Sequence, residues 1–123
     1  MMQKNKRVSE LDFGDIIKLD FSPTEGHEQH GYRPAVVLTD PKSQNSMLNG
    51  MTSVAPITKI KKGFPTHVLL DSQTEIRGSI LVEHHRMLDL RSRNFVYVEK
   101  LPLNKLQEVK RVFEALYQDL LSL

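Results

Sequence analysis

The sequence predicts a mainly β domain, in which about six short strands form a small, curled, mostly antiparallel sheet closed by a C-terminal amphipathic helix. Short runs with β-type patterns recur between turn-forming segments through most of the chain. The C-terminal segment instead repeats apolar side chains at three- and four-residue steps, as an amphipathic helix does. With 123 residues the chain is expected to form one domain over 1–123, in which residues 1–10 are a flexible, polar lead-in.

The first two predicted strands flank a polar loop. Apolar and polar side chains alternate over residues 16–21, which is the period-two pattern of a half-buried strand. The continuous apolar run at 34–38 predicts a more deeply buried strand. Pro34 is expected at its first position, where the missing N–H does no harm.

The remaining elements are predicted from similar signals. Four further strands are expected at 51–57, 66–70, 79–83 and 95–99, while 84–94 is expected to be a short helical turn or loop. Asn104 is placed to cap the C-terminal helix. The apolar stripe of that helix comprises Leu106, Val109, Phe113, Leu116 and Leu120. Because the tail is apolar on more than one face, we expect part of it to bury against a second subunit or a segment of a partner protein.

Composition excludes several classes of protein. The chain has no cysteine, so it forms no disulfides, and this absence fits a reducing cytoplasm. The first ten residues contain no apolar core of a signal peptide, and no apolar run is long enough to span a bilayer. The formal net charge of +2 is mildly basic, so local clusters of Lys and Arg matter more than the total.

The loop Glu28-Gln29-His30-Gly31-Tyr32-Arg33-Pro34 is the strongest candidate for a functional site. The guanidinium of Arg33 stays charged and presents a planar fork of donors that matches phosphate oxygens in pairs. An alternative is that Arg33 forms an ion pair with Glu28 and only pins the loop. The residue chemistry leaves both interpretations open.

Four segments, in order along the chain, resemble the MazF/PemK type of ribosome-independent mRNA endonuclease toxins. These are a Gly-Asp-hydrophobic strand at 14–21, a loop of E-Q-x-G-x-R-P form at 28–34, a hydrophobic-P-hydrophobic-T segment at 55–58 and a strand opened by glycine at 78–82. The resemblance covers almost the whole chain. It implies an SH3-like barrel with a C-terminal helix, a homodimer, a cognate antitoxin protein as partner, and a cytoplasmic location.

The resemblance also implies sequence-specific cleavage of single-stranded mRNA without metal or other cofactor. In this reaction the 2′-hydroxyl attacks the adjacent phosphate, so the enzyme supplies positioning, charge stabilisation and proton transfer. The family's catalytic pair maps onto Arg33 and Thr58. Glu28 is our candidate for the general base. The usual pKa of histidine is closer to neutral pH, which would suit His27 or His30 better as the base, but the family pattern requires neither.

Eight further side chains are candidates for binding RNA: Gln29, Tyr32, Lys59, Lys61, Lys62, Phe64, His84 and Arg86. The lysines would attract phosphate, and the aromatic rings would stack on unpaired bases. His84 stands where the family commonly has glutamine, which implies a different cleavage sequence. Arg86 corresponds to a basic position of the family, although it could instead pair with Asp89.

Other functions compete with the nuclease. A zinc site is disfavoured because His27 and His30 are three residues apart, whereas the helical H-E-x-x-H motif needs four. A non-enzymatic toxin of the same fold that binds DNA gyrase is one alternative, and a nucleic-acid-binding SH3-like module is another. The presence of both Arg33 and Thr58 favours the nuclease.

Overall fold

The computed structural model describes residues 5–21, 32–40, 51–60 and 63–123, with Tyr32 described by its backbone alone. The strands of this part of the chain are β1 Asp15–Asp20, β2 Tyr32–Val37, β3 Thr52–Thr58, β4 His67–Leu69, β5 Ser79–Leu81, β6 Arg86–Leu88 and β7 Phe95–Lys100. Two helices follow, α1 Leu103–Leu116 and α2 Gln118–Leu121. The predicted mainly β fold with a C-terminal helix is therefore confirmed.

The seven strands form one antiparallel sheet, in which six follow the order β4-β5-β3-β2-β1-β7 and β6 pairs with β3 outside this order. β3 is long enough to pair with two short strands along one edge, β6 near its start and β5 near its end. Among the described strands, no pairing joins β4 to β7. The sheet therefore curls as expected, but backbone hydrogen bonds do not close it into a barrel.

Each face of the sheet carries its own apolar core. Successive strand residues point to opposite faces, so Val36 enters one core while Ala35 and Val37 enter the other. The first core lies beneath α1 and comprises Ile16, Val36, Ala55, Ile57, Val68, Leu70, Ile80, Val82, Leu101 and Val109. The second core comprises Leu11, Ile17, Leu19, Ala35, Val37, Val54, Leu88 and Leu90.

The segment expected to be a flexible lead-in is packed where the structure describes it. Val8–Glu10 forms a 3-10 turn, and Val8 packs against the second core. The Lys6 ammonium lies 2.9 Å from the fully buried Asp15 carboxylate, which also accepts the backbone N–H of Asp12 at 2.9 Å. A buried carboxylate needs such partners, so Asp15 holds this polar segment against the domain.

Two local predictions were wrong. Residues 86–88 form β6 rather than a turn, because the open edge of β3 offers pairing partners and Leu88 fills the second core. Asn104 does not cap α1: the N-cap is Pro102, whose extended backbone precedes Leu103, and Asn104 lies inside the first turn. Because the proline ring fixes φ, the chain can begin the helix after Pro102 without a side-chain cap.

The C-terminal helix is buried only in part. Val109 is buried in the first core, with Leu106 and Val112 packed beside it. The later members of the predicted stripe, Leu116 and Leu120, are exposed. Within the described part of the chain, neither helix has the length and apolar character needed to cross a membrane.

Gly78 permits the close approach of the backbones where β3 ends. Its φ is +120°, a region that residues with a side chain rarely adopt. A Cβ at this position would lie 1.9 Å from the carbonyl oxygen of Thr58. Only glycine therefore lets the start of β5 pack against the end of β3 in this way.

We expect Gly78→Ala to lower the free energy of unfolding by at least about 3 kcal/mol, because both its φ and the Thr58 carbonyl oppose a side chain. Gly63→Ala is the matched control. Gly63 also has a positive φ, of +71°, but nothing lies within 4 Å of its Cβ position. Its substitution should cost only about 1–2 kcal/mol. Urea unfolding measures both values, and equal losses would contradict the proposed clash.

Candidate nucleic-acid interface

Arg33 and Thr58 lie at the same end of two adjacent strands. β2 and β3 pair Val37 with Val54, Val36 with Ala55 and Ala35 with Pro56. Arg33 and Thr58 each lie two residues beyond the last pair of this register, Arg33 near the start of β2 and Thr58 at the end of β3. Because side chains alternate along a strand, Arg33 shares the face of Ala35 and Thr58 shares the face of Pro56, which is the same face of the sheet. The two side chains, 25 positions apart in the chain, therefore lie on one face at the same end of the strand pair.

Backbone features fix this end of the strand pair. The last opposite residues of the two strands are Ala35 and Pro56, and the prolines at 34 and 56 have no N–H to donate to a ladder. The Thr58 hydroxyl accepts the backbone N–H of Ile60 at 3.3 Å, which turns the chain out of β3. As this bond occupies a lone pair and not the hydroxyl proton, Thr58 can still donate to an anion.

The Arg33 side chain is exposed. No residue within the described ranges forms an ion pair with its guanidinium. The alternative partner, Glu28, lies outside the described residues, as do Gln29, Lys61 and Lys62. Tyr32 lies in β2 opposite Asp20, but its side chain is not described. The roles of these residues therefore stay predictions.

The chain beyond Thr58 exposes a cation and an aromatic ring. Lys59 follows Thr58 directly and is exposed. Phe64 is 53% exposed and packs against the His67 ring with a centroid distance of 5.0 Å. These two candidates for RNA contact therefore lie on the connector that begins at Thr58.

Arg86 lies on the same face of the sheet as Arg33 and Thr58. It pairs with Val54 in the β3–β6 ladder, and its guanidinium carbon lies 5.8 Å from the centre of the Phe21 ring. Phe21 directly follows β1, at the end where Asp20 pairs with the neighbour of Arg33. The curl of the sheet therefore brings Arg86 toward the Arg33 end.

The alternative in which Arg86 pairs with Asp89 is wrong. Asp89 instead accepts two hydrogen bonds from the Arg91 guanidinium, at 2.9 and 3.1 Å, and a third from the Arg91 backbone N–H. The side-chain bonds come first among the interactions that lower the pKa of Asp89. Arg91 lies two residues after Asp89 in a 3-10 turn, so this ion pair is local and does not involve Arg86.

Sequence reasoning missed a carboxylate–imidazole pair beside Phe64. The Oε2 atom of Glu83 lies 2.9 Å from Nε2 of His67 and 3.6 Å from Nε2 of His84. Burial opposes the charged form of Glu83, but hydrogen bonds from His67, its own backbone and Thr66 outweigh burial and lower the pKa of the carboxyl. No local pattern indicates a pair whose members are 16 residues apart.

His85 has a structural role. Its Nδ1 lies 2.8 Å from the Val82 carbonyl oxygen, which makes Nδ1 the donor and leaves Nε2 to accept the Tyr117 hydroxyl at 2.8 Å. The ring also packs against Phe113 and so joins this segment to α1. His84 and His85 thus point to different partners. Across the described ranges, no group of three residues could hold a metal ion.

The arrangement offers cations and a hydroxyl donor on one face of the sheet. Arg33 and Arg86 can bind phosphate oxygens, and Thr58 can add a neutral hydrogen bond beside Arg33. Exposed Phe64 can stack on an unpaired base. This combination suits a single-stranded nucleic acid.

Comparison with known proteins identifies the family of the chain. The sequence pattern of the family described as PemK-like, MazF-like toxin of type II toxin–antitoxin system matches residues 12–117. The endoribonuclease toxin MazF of Escherichia coli K12 is 37% identical over 99 residues, covering 80% of this chain and 86% of the relative. The endoribonuclease toxin ChpB of the same strain is 41% identical over 95 residues, covering 71% and 77%.

Solved structures agree as well. The MazE-MazF crystal structure (form II) from Deinococcus radiodurans superposes with a TM-score of 0.77 at 34% identity, covering 88% of this chain and 96% of the matched one. The family match at residues 12–117 spans the positions of Arg33 and Thr58. The chain belongs to the PemK-like, MazF-like family of toxins of type II toxin–antitoxin systems.

Proposed function

We propose that the chain is a sequence-specific, metal-independent endoribonuclease that cleaves single-stranded mRNA and acts as the toxin of a toxin–antitoxin system in the cytoplasm. The observation that supports this proposal is the β2–β3 register, whose alternation puts Arg33 and Thr58 on one face at the same end of the strand pair. The two endoribonuclease relatives named above are 37% and 41% identical to the chain and support the same activity.

The proposed reaction uses the RNA's own nucleophile. The 2′-oxygen attacks the adjacent phosphorus, the P–O5′ bond breaks, and the products carry a 2′,3′-cyclic phosphate and a 5′-hydroxyl. No metal-activated water is needed, because the attacking oxygen belongs to the substrate. The site must stabilise the extra charge on the phosphoryl oxygens and move one proton from the 2′-oxygen and one to the 5′-oxygen.

Each proposed catalytic residue has a defined role in this scheme. Arg33 binds the phosphoryl oxygens through its guanidinium fork, stabilises the charge of the transition state and assists protonation of the departing 5′-oxygen. Thr58 donates its hydroxyl to a phosphoryl oxygen. Glu28 takes the 2′-proton in this proposal, with His27 and His30 as the alternatives. Its place in the E-Q-x-G-x-R-P loop, five residues before Arg33, supports its assignment.

RNA binding extends outward from this pair in the proposal. Lys59, Lys61 and Lys62 contact phosphates, Gln29 and Tyr32 contact the strand from the loop before β2, and Arg86 contacts it from β6. Such contacts should make binding strongly dependent on salt. Two observations support this assignment: Lys59 is exposed directly after Thr58, and Arg86 is exposed on the same face of the sheet as Arg33.

We also propose that the chain forms a homodimer and binds a cognate antitoxin. MazE-MazF structures from Deinococcus radiodurans support an antitoxin of the MazE kind. The exposed side chains of Leu116, Leu120 and Leu121 give the C-terminal helices an apolar surface suited to burial in such an assembly.

Arg33→Ala should lower cleavage of a mixed-sequence single-stranded RNA in excess EDTA by at least about 100-fold, since it removes the main charge stabiliser. Arg33→Lys should restore little activity, because an ammonium cannot form the paired contacts of a guanidinium. Arg91→Ala is the matched control, since this exposed arginine is already bound to Asp89. Mapping the 5′-hydroxyl ends measures the rate and the cleavage motif together.

Two results would refute the assignment of Arg33. One is near-normal cleavage by the folded Arg33→Ala protein, and the other is an equal loss in Arg91→Ala. If the wild-type protein, freed of antitoxin, cuts no RNA, the proposed function falls. A supercoiling assay with DNA gyrase would then test the non-enzymatic alternative.

Thr58→Val should lower the rate of the same reaction about 10- to 1,000-fold, because it removes one hydrogen bond to the transition state and keeps the β-branched shape. Thr58→Ser keeps the hydroxyl and should retain most of the activity. Single-turnover cleavage rates at saturating RNA decide the point. If Ser and Val at position 58 lose activity equally, the hydroxyl is not the group that matters.

A further inference from the structure

One arginine on the face that carries Arg33 is held by an aromatic ring. The guanidinium carbon of Arg86 lies 5.8 Å from the centre of the Phe21 ring, which is within the range of a cation–π contact. Phe21 follows β1 and Arg86 begins β6, so the contact joins the ends of two strands that do not pair with each other. The ring packs against the second core, on the face of the proposed catalytic pair.

Two arginines of the segment that follows β6 are held by oxygen atoms, and Arg86 is not. Arg91 donates two hydrogen bonds to the Asp89 carboxylate, which neutralises its charge. Arg93 donates to the backbone carbonyl of Asp20 at 3.0 Å. No carboxylate within the described ranges pairs with Arg86, whose side chain is exposed. Its charge and its N–H donors are therefore available to a ligand.

An aromatic ring can fix an arginine without cancelling its charge. The negative face of the ring attracts the guanidinium, but the ring has no net charge and leaves the planar fork of donors open. A carboxylate would also fix the side chain, yet it would occupy those donors and repel an incoming phosphate. For an arginine that binds phosphate through paired contacts, a ring is therefore the better support.

Phe21 is itself held in place. The backbone N–H of the preceding Asp20 donates to the carbonyl of Asn94 at 3.3 Å, and the carbonyl of Asp20 accepts the Arg93 guanidinium. The Phe21 ring is partly buried where it contacts the second core. A ring that is fixed in this way can keep a long side chain at a defined place.

The backbone of Arg86 is fixed as well. Arg86 pairs with Val54 in the β3–β6 ladder, and the imidazole of the preceding His85 bonds the Val82 carbonyl and the Tyr117 hydroxyl. Only the side chain of Arg86, with its several rotatable bonds, therefore needs support. A free arginine side chain loses rotational freedom when it binds a phosphate, and one that is already held loses less.

We propose that Phe21 is a positioning residue, whose ring holds the guanidinium of Arg86 in place to bind a backbone phosphate of the RNA. This inference rests on the proposed endoribonuclease function and adds a residue that supports RNA binding from the protein side. Phe21 acts through Arg86 and touches neither the reacting phosphate nor a base. Because Arg33 lies on the same face, one RNA strand can reach both arginines.

Phe21→Leu tests the inference, because leucine keeps an apolar contact with the second core and removes the ring. The probe is a single-stranded RNA that the wild-type protein cuts, with a 2′-O-methyl group at the cut so that no nucleophile remains. We expect its dissociation constant to rise about two- to fivefold, the strength of one exposed cation–π contact. The single-turnover rate on saturating unmodified RNA should change less than about twofold. Phe21→Tyr keeps the ring and should bind like the wild type.

A double-mutant cycle with Arg86→Ala isolates the pair. Arg86→Ala should weaken binding more than Phe21→Leu does, and it should lower the salt dependence by about one phosphate contact. In the Arg86→Ala background, Phe21→Leu should cause no further loss, because the ring then has no guanidinium to hold.

Phe95→Leu is the matched control. Phe95 is also partly buried against the second core, and no cation of the described residues lies over its ring. The substitution removes the same ring from the same core, so it reports any loss of RNA binding that comes from packing alone. We expect it to bind the probe like the wild type.

The outcomes separate the two proposals. If Phe21→Leu weakens binding equally with and without Arg86, or if Phe95→Leu weakens it as much, the inference is wrong and the endoribonuclease function stands. An unchanged dissociation constant in folded Phe21→Leu also refutes the inference. If the wild-type protein cuts no RNA, both proposals fall. Thermal unfolding shows which variants are folded, and Phe21→Met replaces Phe21→Leu if the leucine variant does not fold.

Discussion

The antiparallel register between β2 and β3 is the constraint on which the candidate site depends. A shift of one residue would send Arg33 and Thr58 to opposite faces and would also exchange the side chains of the two cores. The register is held because Val36 and Ala55 fit the core beneath α1, while Val37 and Val54 fit the other. The same apolar packing that stabilises the domain therefore sets the position of the two polar residues.

Glycine and proline adapt the end of this strand pair to its chemistry. Gly78 lets β5 approach the Thr58 carbonyl, and the β2–β3 pairs end at Ala35 and Pro56, while β2 stays paired with β1 and β3 with β5. Beyond the last β2–β3 pair Arg33 is exposed and Thr58 is half-buried, and their backbones stay tied to the sheet. A phosphate-binding group needs this combination, since access without positioning stabilises a transition state poorly.

The catalytic candidates could be found from the sequence because they belong to short contiguous motifs. Arg33 lies in the E-Q-x-G-x-R-P loop and Thr58 in the segment 55–58, each beside an apolar run that indicates a strand. The His67–Glu83 pair has no such signal, because it depends on how β4 and β5 lie side by side. β6 could not be predicted from the sequence for the same reason, because it forms by pairing with the edge of β3 and not through the strand propensity of its own residues. Likewise, nothing near Lys6 in the sequence indicates that its partner is the buried carboxylate of Asp15.

By itself the sequence determined the class of the domain, the order of most strands, the C-terminal helix and the family, because these follow from hydrophobic periodicity and contiguous motifs. Tertiary structure alone decided which polar side chains lie on the same face of the sheet and which arginine binds Asp89. It also decided that the Glu83 carboxylate joins the segments that carry Phe64 and His84. These contacts depend on how the strands are paired, how the sheet curls and which side chains are buried. No local pattern of residues encodes them, because they form only when the strands are paired.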